Sequence, residues 1–181
     1  CVLAERIVGL VELSANATKS VLASANVNLW RDYYPRLATL EFSRDRKSMS
    51  VLCNFPRSGN PLARRERAGN RLLVKGAPNL LLERCTHIKY RDGTVVKLSG
   101  KLRRQIEDKI TELARRPLRC LALAVKECDD LVGSLKRFSP SNDRDVSRHP
   151  LLSKAANYRN IESGLTLVGV VGIKDPARPG V

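Results

Sequence analysis

Two short apolar runs on either side of a charged block constrain the fold of this chain more than any other feature. The block is formed by residues 44–47, and Phe42 ends the run before it. After the block, every second residue is apolar, at Met49, Val51 and Cys53. Apolar side chains at alternate positions are typical of a strand with one buried face. We therefore predict an antiparallel strand pair over residues 36–54, joined at the charged block.

Further strands and helices alternate without a strict βαβ order. Pro78 is placed well to begin a helix that ends near Cys85, Asp92-Gly93 is typical of a hairpin turn, and Ser99 can cap a helix closed by Pro117. Further strands are predicted at residues 71–75 and 118–126, a short helix near 150–156, and a buried strand at 165–173. The pattern predicts an α+β fold with a mostly antiparallel sheet flanked by helices.

Composition excludes several functional classes and leaves others open. Five cysteines without CxxC spacing and only two histidines argue against a disulfide framework or a metal site. The longest apolar run, residues 165–173, has nine residues and is too short to span a bilayer. The net charge of +15 suits nucleic acid, an anionic membrane surface or an anionic small ligand. The chain begins with Cys1 in a helical pattern, so we expect it to be a piece of a longer protein.

The charged block and its neighbours contain what a nucleotide needs, although no phosphate-binding glycine motif is present. Phe42 offers an aromatic face for a base, and Arg44 and Lys47 offer positive charge beside it. Arg46 and Asp45 gain no such role and are expected to pair within the turn.

Two other segments supply similar groups. Lys75 stands at a strand end before the small residues Gly76 and Ala77, and Arg119 begins a strand, where its guanidinium suits a phosphate. Phe42, Lys75 and Arg119 each also have an explanation that needs no ligand. A phenylalanine in a strand is usually in the core, and Lys75 and Arg119 suit a solvated surface. Spacing alone therefore favours an ordinary basic α+β domain over nucleotide binding.

Four longer segments, in this order, resemble the nucleotide-binding domain of P-type cation-transporting ATPases. They are LEFSRDRKSMSV, LLVKGAPNLLLERC, LRCLALAVK and LTLVGVVGIKDPAR, which together span roughly residues 39–178. The likeness is to calcium pumps of the sarco/endoplasmic-reticulum type, and GNRLLVKGAP and the ending from NYRNIESG resemble the plant-type branch.

The resemblance implies a role for each matching residue. Phe42 would stack on adenine, with Met49 as an apolar wall and Arg44 and Lys47 as basic surroundings. Lys75, Gly76 and Ala77 would form the base of the pocket. Arg119 would reach the phosphates, with Cys120 and Leu121 beside it. ATP, as Mg-ATP in the parent enzyme, would be presented to an aspartate in a DKTGT motif that this chain lacks, so the chain alone is expected to bind nucleotide without hydrolysing it.

The resemblance also implies boundaries, partners and location. Residues 1–173 would be a nucleotide-binding domain truncated at its N-terminus, and residues 174–181 would begin the hinge to the phosphorylation domain. Partners would be ATP or ADP and the phosphorylation and actuator domains of the same parent chain. The parent would be a calcium-transporting translocase, with this domain on the cytoplasmic face of the endoplasmic reticulum. Asn79 and Ala177 depart from the family's usual glutamate and second proline.

Two other hypotheses compete with this interpretation. The net charge and the arginines of residues 55–70 suit a basic nucleic-acid-binding module, yet the basic segments lack interleaved aromatics and known recognition motifs. The resemblance itself predicts no nucleic-acid partner. The same arginine-rich segment can instead be a regulatory interaction surface within the parent pump.

Overall fold

The fold is a single sheet with helices packed on one of its faces. The computed structural model describes residue 28 and residues 30–55, 68–116 and 118–174. Within them the strands are β1 (Arg36–Ser43), β2 (Ser48–Phe55), β3 (Gly69–Gly76), β4 (Cys85–Lys89), β5 (Val95–Lys97), β6 (Arg119–Lys126) and β7 (Leu165–Ile173). They form one seven-stranded sheet in the order β1-β2-β3-β6-β7-β4-β5. Every neighbouring pair is antiparallel except β4 and β7, which confirms the predicted α+β fold with a mostly antiparallel sheet.

The helices begin at the residues that their capping chemistry favours. Helix α1 (Pro78–Glu83) has its proline in the first turn, and α2 (Gly100–Arg115) is capped by Ser99, whose hydroxyl accepts a hydrogen bond from the Leu102 amide. Two short helices follow, α3 (Asp143–Arg148) and α4 (Tyr158–Ile161). Single 3-10 turns cover Cys128–Asp130, Gly133–Arg137 and Ala155–Asn157.

The core lies between the sheet and these helices. Leu40, Leu52, Leu72 and Ala122 are fully buried on the covered face of the strands, and Leu81 of α1 is equally buried against them. Ile110 brings the apolar side of α2 to the same core, with Leu102 and Ile106 partly buried beside it. In the part of the chain that the structure describes, the helices cover one face of the sheet, and the alternation of side chains leaves the other face open.

Two local predictions were wrong. The helix expected near residues 150–156 lies earlier, at Asp143–Arg148, because the Asn142 side chain accepts bonds from the Arg144 and Asp145 amides and so begins it there. Strand β7, expected to be buried, is buried only in its first half; Val168, Val171 and Ile173 are among the exposed large hydrophobics. The second half runs past the helices and borders the open face.

Three sequence predictions fall outside the described residues. These are the N-terminal helix predicted to about residue 25, the middle of the arginine-rich loop predicted at 55–70 and all but the first residue of the hinge predicted at 174–181. The two ends of that loop belong instead to β2 and β3. The division at residue 173 therefore stays a prediction.

Burial of Cys85 predicts a pH dependence of stability. Burial raises the pKa of its thiol from 9.0 to about 11, although Arg103 and Arg84 oppose the shift. Because the pKa is higher in the folded state, the protonated thiol contributes fully to the free energy of unfolding below pH 9.0. That contribution is lost as the pH rises toward about 11, by up to ~1.4 kcal/mol per pH unit.

We therefore expect Cys85→Ser to unfold with a shallower pH dependence than the wild type between pH 9 and 11. Serine retains a donor for the Leu81 carbonyl, which now accepts a bond from the Cys85 thiol, but it does not titrate. The measurement is urea unfolding of both proteins from pH 7 to 11. Equal slopes in the two proteins would show that the Cys85 thiol does not control this transition.

Candidate functional site

The open face of the sheet contains an apolar groove with cations along it. The groove encloses about 400 Å³ over the middle strands. Its lining includes Arg36, Met49, Val51, Leu73, Lys75, Leu123, Val125 and Val168. Met49 is the cross-strand partner of Lys75, and Lys75 is in turn the partner of Leu123. A floor of aliphatic side chains with a lysine in it suits a flat, apolar group that carries negative charge nearby.

Strand register brings the predicted site segments to one end of this sheet. One row of partnered residues crosses four strands at that end: Ser43, Ser48, Gly76 and Ala122. The predicted residues next to this row in the chain are Phe42, Arg44, Lys47, Met49, Lys75, Ala77 and Leu121. Arg119 lies two residues before Leu121 and so has the same orientation in β6. Residues separated by up to 79 positions, from Phe42 to Leu121, thus come to the same end of the sheet.

The aromatic residue at this edge is exposed. Phe42 has 61% of its surface accessible, which rules out the explanation that it is a core residue. Arg44, Lys47, Lys75 and Arg119 are exposed as well, and Met49 and Leu121 are half-buried. A single exposed aromatic is common on a protein surface, so the ring gains meaning only from the groove and the cations beside it. The described residues thus leave a ring and several cations available at the same edge.

Cys120 departs from this grouping. Strand alternation puts it on the same side as Ala122 and Ala124, which are buried in the core. Its thiol donates to the Leu118 carbonyl over 3.9 Å. The side chain therefore lies on the covered face, and only the backbone of Cys120 is shared with the edge that Arg119 and Leu121 occupy.

The turn that carries Lys47 is bonded directly to the Lys75-Gly76-Ala77 segment. The Ala77 amide donates to the Lys47 carbonyl over 2.9 Å, and the Lys47 amide donates to the Ser43 carbonyl over 2.8 Å. Lys47 has a φ of 45°, an uncommon conformation for a residue with a side chain. A Cβ on Gly76 would lie 2.7 Å from the Lys47 carbonyl oxygen. The close packing of the turn therefore excludes any side chain at position 76.

A buried carboxylate lies beneath the turn. Glu162 follows helix α4 and has no exposed surface. Its Oε1 accepts from Arg46 over 2.5 Å and from Ser50 over 2.8 Å. Its Oε2 accepts from Ser48 over 2.7 Å and from Arg84 over 2.6 Å. Four donors saturate the carboxylate, as a buried charge requires.

Sequence reasoning missed this cluster. Arg46 was expected to pair within the turn, but its ion pair is with Glu162, 116 positions away, and the side chain is buried. Arg84 and Glu162 received no role at all. Neither residue lies in a local pattern that signals burial of charge, so only the packing of α1 and α4 on the hairpin reveals the pairing.

The donor set of this edge suits phosphate and not a metal ion. Lysine and arginine donate to phosphate oxygens, whereas Mg²⁺ takes carboxylate, carbonyl and water oxygens. Within the described ranges, no cluster of three or more His, Cys, Asp or Glu side chains could hold a metal. Those ranges also contain no helix that is both long and apolar enough to cross a membrane.

Fold and groove together define an α+β domain whose described residues leave one face of the sheet open, with an aromatic ring and cations at its edge. A sequence profile of the family described as P-type ATPase, cytoplasmic domain N, matches residues 3–180. The chain belongs to this family, and it resembles pumps of the endoplasmic-reticulum calcium type.

Named relatives show the same likeness. The chain is 37% identical over 98% of its length to Calcium-transporting ATPase 2, endoplasmic reticulum-type, and 39% identical over 84% to Calcium-transporting ATPase 4, endoplasmic reticulum-type, both of Arabidopsis thaliana. It is 36% identical over 81% of its length to Endoplasmic reticulum calcium ATPase srcA of Aspergillus fumigatus. The chain spans 13–15% of the length of these three relatives.

The tight packing at Gly76 predicts that Gly76→Ala is destabilising. The new methyl group would meet a backbone carbonyl that cannot rotate away, so strand β2 must shift, at a cost of about 1–3 kcal/mol. Gly100→Ala is the matched control, because nothing lies within 4 Å of a Cβ there and the first turn of α2 tolerates alanine. Urea unfolding measures both. Equal stability of the two variants would contradict the packing described here.

Proposed function

We propose that this chain is the ATP-binding domain of an ATP-driven calcium-transporting P-type ATPase. The observation that carries the proposal is the strand register, which brings the segments of Phe42, Lys75 and Arg119 toward one end of the sheet. Family membership supports it, since the matching profile describes the cytoplasmic N domain of these enzymes. The relatives' names, which specify calcium transport and the endoplasmic reticulum, support the cargo and a parent protein of that membrane, with this domain on the cytoplasmic side.

Adenine recognition falls to the exposed ring and the groove. The Phe42 face stacks on the base, a contact worth ~1–3 kcal/mol in comparable cases. Met49 and Leu121, both half-buried, supply apolar walls. Lys75 reaches from the groove floor, and Gly76 and Ala77 join it to the turn of Lys47 at the base of the site. The backbone of Cys120 lies behind this wall.

Phosphate recognition falls to the exposed cations. Arg119 offers a planar guanidinium that can bind phosphate oxygens with two parallel hydrogen bonds. Arg44 and Lys47 add positive potential from the turn, which favours an anionic ligand without wrapping it. The phosphates thus stay open toward solvent, as transfer to a separate domain requires.

The chemistry itself belongs elsewhere in the parent enzyme. This chain contains no DKTGT segment, whose aspartate accepts the phosphoryl group in the family. Mg²⁺ enters as Mg-ATP, and the donor set described above gives it no ligands on this face. The role left to the chain is to bind nucleotide and present it to the phosphorylation domain, with the actuator domain as a further intramolecular partner. Separating binding from chemistry lets domain closure control the reaction.

Nucleotide titration of the isolated chain tests this proposal. We expect ATP and ADP to bind without hydrolysis, and Phe42→Ala, Lys75→Ala and Arg119→Ala each to weaken ATP binding by about tenfold. Tyr90→Ala is the matched control, because Tyr90 is an aromatic residue of 44% exposure outside the row of predicted site residues. Isothermal titration calorimetry measures the affinities. Unchanged ATP affinity in all three site variants would refute the assignment.

The same experiment includes a titration with an RNA or DNA oligomer. The competing hypothesis predicts tight binding of an RNA or DNA oligomer that weakens steeply with salt. We expect only weak, non-specific binding of such an oligomer and no competition with ATP for Phe42. Tight oligomer binding that Phe42→Ala abolishes would favour the competing function.

A further inference from the structure

We propose that Glu162 is the positioning residue of the nucleotide site. It acts through Arg46 and Arg84, and through them it sets the place of Phe42 and the Lys47 turn. The inference rests on the function proposed above and concerns residues to which that function gave no role. Glu162 touches no part of the open face, because its side chain is fully buried on the other side of the hairpin.

The contacts of Arg46 connect the carboxylate to the aromatic residue. Its Nε donates to the Ser43 hydroxyl over 3.1 Å, and its second terminal nitrogen donates to the Glu41 carbonyl. These acceptors belong to the two residues on either side of Phe42 in the chain. The guanidinium also lies over the Tyr158 ring, 5.0 Å from its centroid. One buried side chain thus fixes the backbone from which the exposed ring projects.

The contacts of Arg84 connect the same carboxylate to the lysine segment. Arg84 follows helix α1, which begins directly after Ala77, and its Nε donates to the Leu80 carbonyl over 3.1 Å. Its other nitrogens donate to Glu162, to the Ser48 hydroxyl and to the Arg46 carbonyl, the last two over 3.2 Å. Arg84 therefore connects the turn to helix α1, which directly follows the Lys75-Gly76-Ala77 segment.

Charge and geometry make opposite predictions for a neutral replacement of Glu162. The cluster holds two guanidinium groups and one carboxylate among its contacts, so Glu162→Gln removes a negative charge from beneath a site for an anion. If the cluster acted only through its electric field, ATP would bind more tightly to the variant. If Glu162 acts by positioning, the turn loosens and ATP binds more weakly. The sign of the change separates the two.

The test compares three variants with the wild type. Glu162→Gln removes the charge. Arg46→Lys retains a charge opposite Glu162 but has one nitrogen, which cannot reach Ser43 and Glu41 together. Leu135→Ala is the control, because Leu135 is a fully buried residue whose carbonyl accepts from Asn70, at the opposite end of β3 from Gly76. All are measured at a temperature where circular dichroism shows each to be folded.

Two readouts are needed. Amide hydrogen exchange follows the Lys47 and Ala77 amides, which bond to the Ser43 and Lys47 carbonyls, with the Leu98 amide as the reference. We expect Glu162→Gln and Arg46→Lys to accelerate exchange at Lys47 and Ala77 by about tenfold or more relative to Leu98, and Leu135→Ala to leave that ratio unchanged.

Calorimetry then gives the ATP affinity, which we expect to fall by about tenfold in Glu162→Gln, less in Arg46→Lys and less than twofold in Leu135→Ala.

The outcomes separate this inference from the proposed function. Failure of the wild type to bind ATP would refute the proposed function, while the exchange rates would still show whether Glu162 holds the turn. Unchanged protection of Lys47 and Ala77 in Glu162→Gln would overturn the positioning role. Wild-type or tighter ATP binding by that variant would overturn it also. If Glu162→Gln does not fold, Arg46→Lys decides by the same two readouts.

Discussion

The contact between one buried carboxylate and two arginines is the interaction on which the rest of this structure depends. Taking three charged groups out of water is costly, and only complete pairing offsets it. Glu162 meets this requirement with four hydrogen bonds that converge from the first hairpin and from the end of α1. Removing one member of such a cluster typically costs ~3–5 kcal/mol, a large share of a domain's stability. The location of this cluster matters as much as its strength, because the partners of Glu162 lie on the covered side of the hairpin that carries Phe42 and Lys47.

That edge is built from strained and closely packed pieces that need such support. Lys47 adopts a positive φ, and Gly76 leaves no room for a side chain beside it. Strain of this kind persists only where the surroundings fix it, and it concentrates at functional sites. Here the buried side of the hairpin supplies the constraint and the exposed side presents the ring and cations. One face of the strand pair thus stabilises the fold, and the other face carries the residues proposed to bind the ligand.

Local sequence patterns predicted most of the fold and only part of the site. The hairpin, the Ser99 cap and the Asp92-Gly93 turn depend on neighbouring residues, and the structure has each of them where expected. The alternation in β2 indicated the wrong buried face, because Ser48, Ser50 and Leu52 are buried and Met49 and Val51 line the open groove. The misplaced helix near residue 150 shows that a side-chain cap at Asn142 outweighs a weak apolar pattern further on. Glu162 escaped prediction because its partners lie 78 to 116 positions away and only tertiary packing brings them together. The resemblance predicted the exposed site residues but gave no information on what holds them in place.

The most direct test of this account is an intermolecular nuclear Overhauser experiment on the labelled chain with unlabelled ATP. The central claim is that adenine lies against Phe42 at the row formed by Ser43, Ser48, Gly76 and Ala122. It predicts contacts from the adenine H2 and H8 protons to the Phe42 ring and to the methyl groups of Met49 and Leu121. Contacts to Tyr90 or Phe138 instead, or none at saturating ATP, would contradict it.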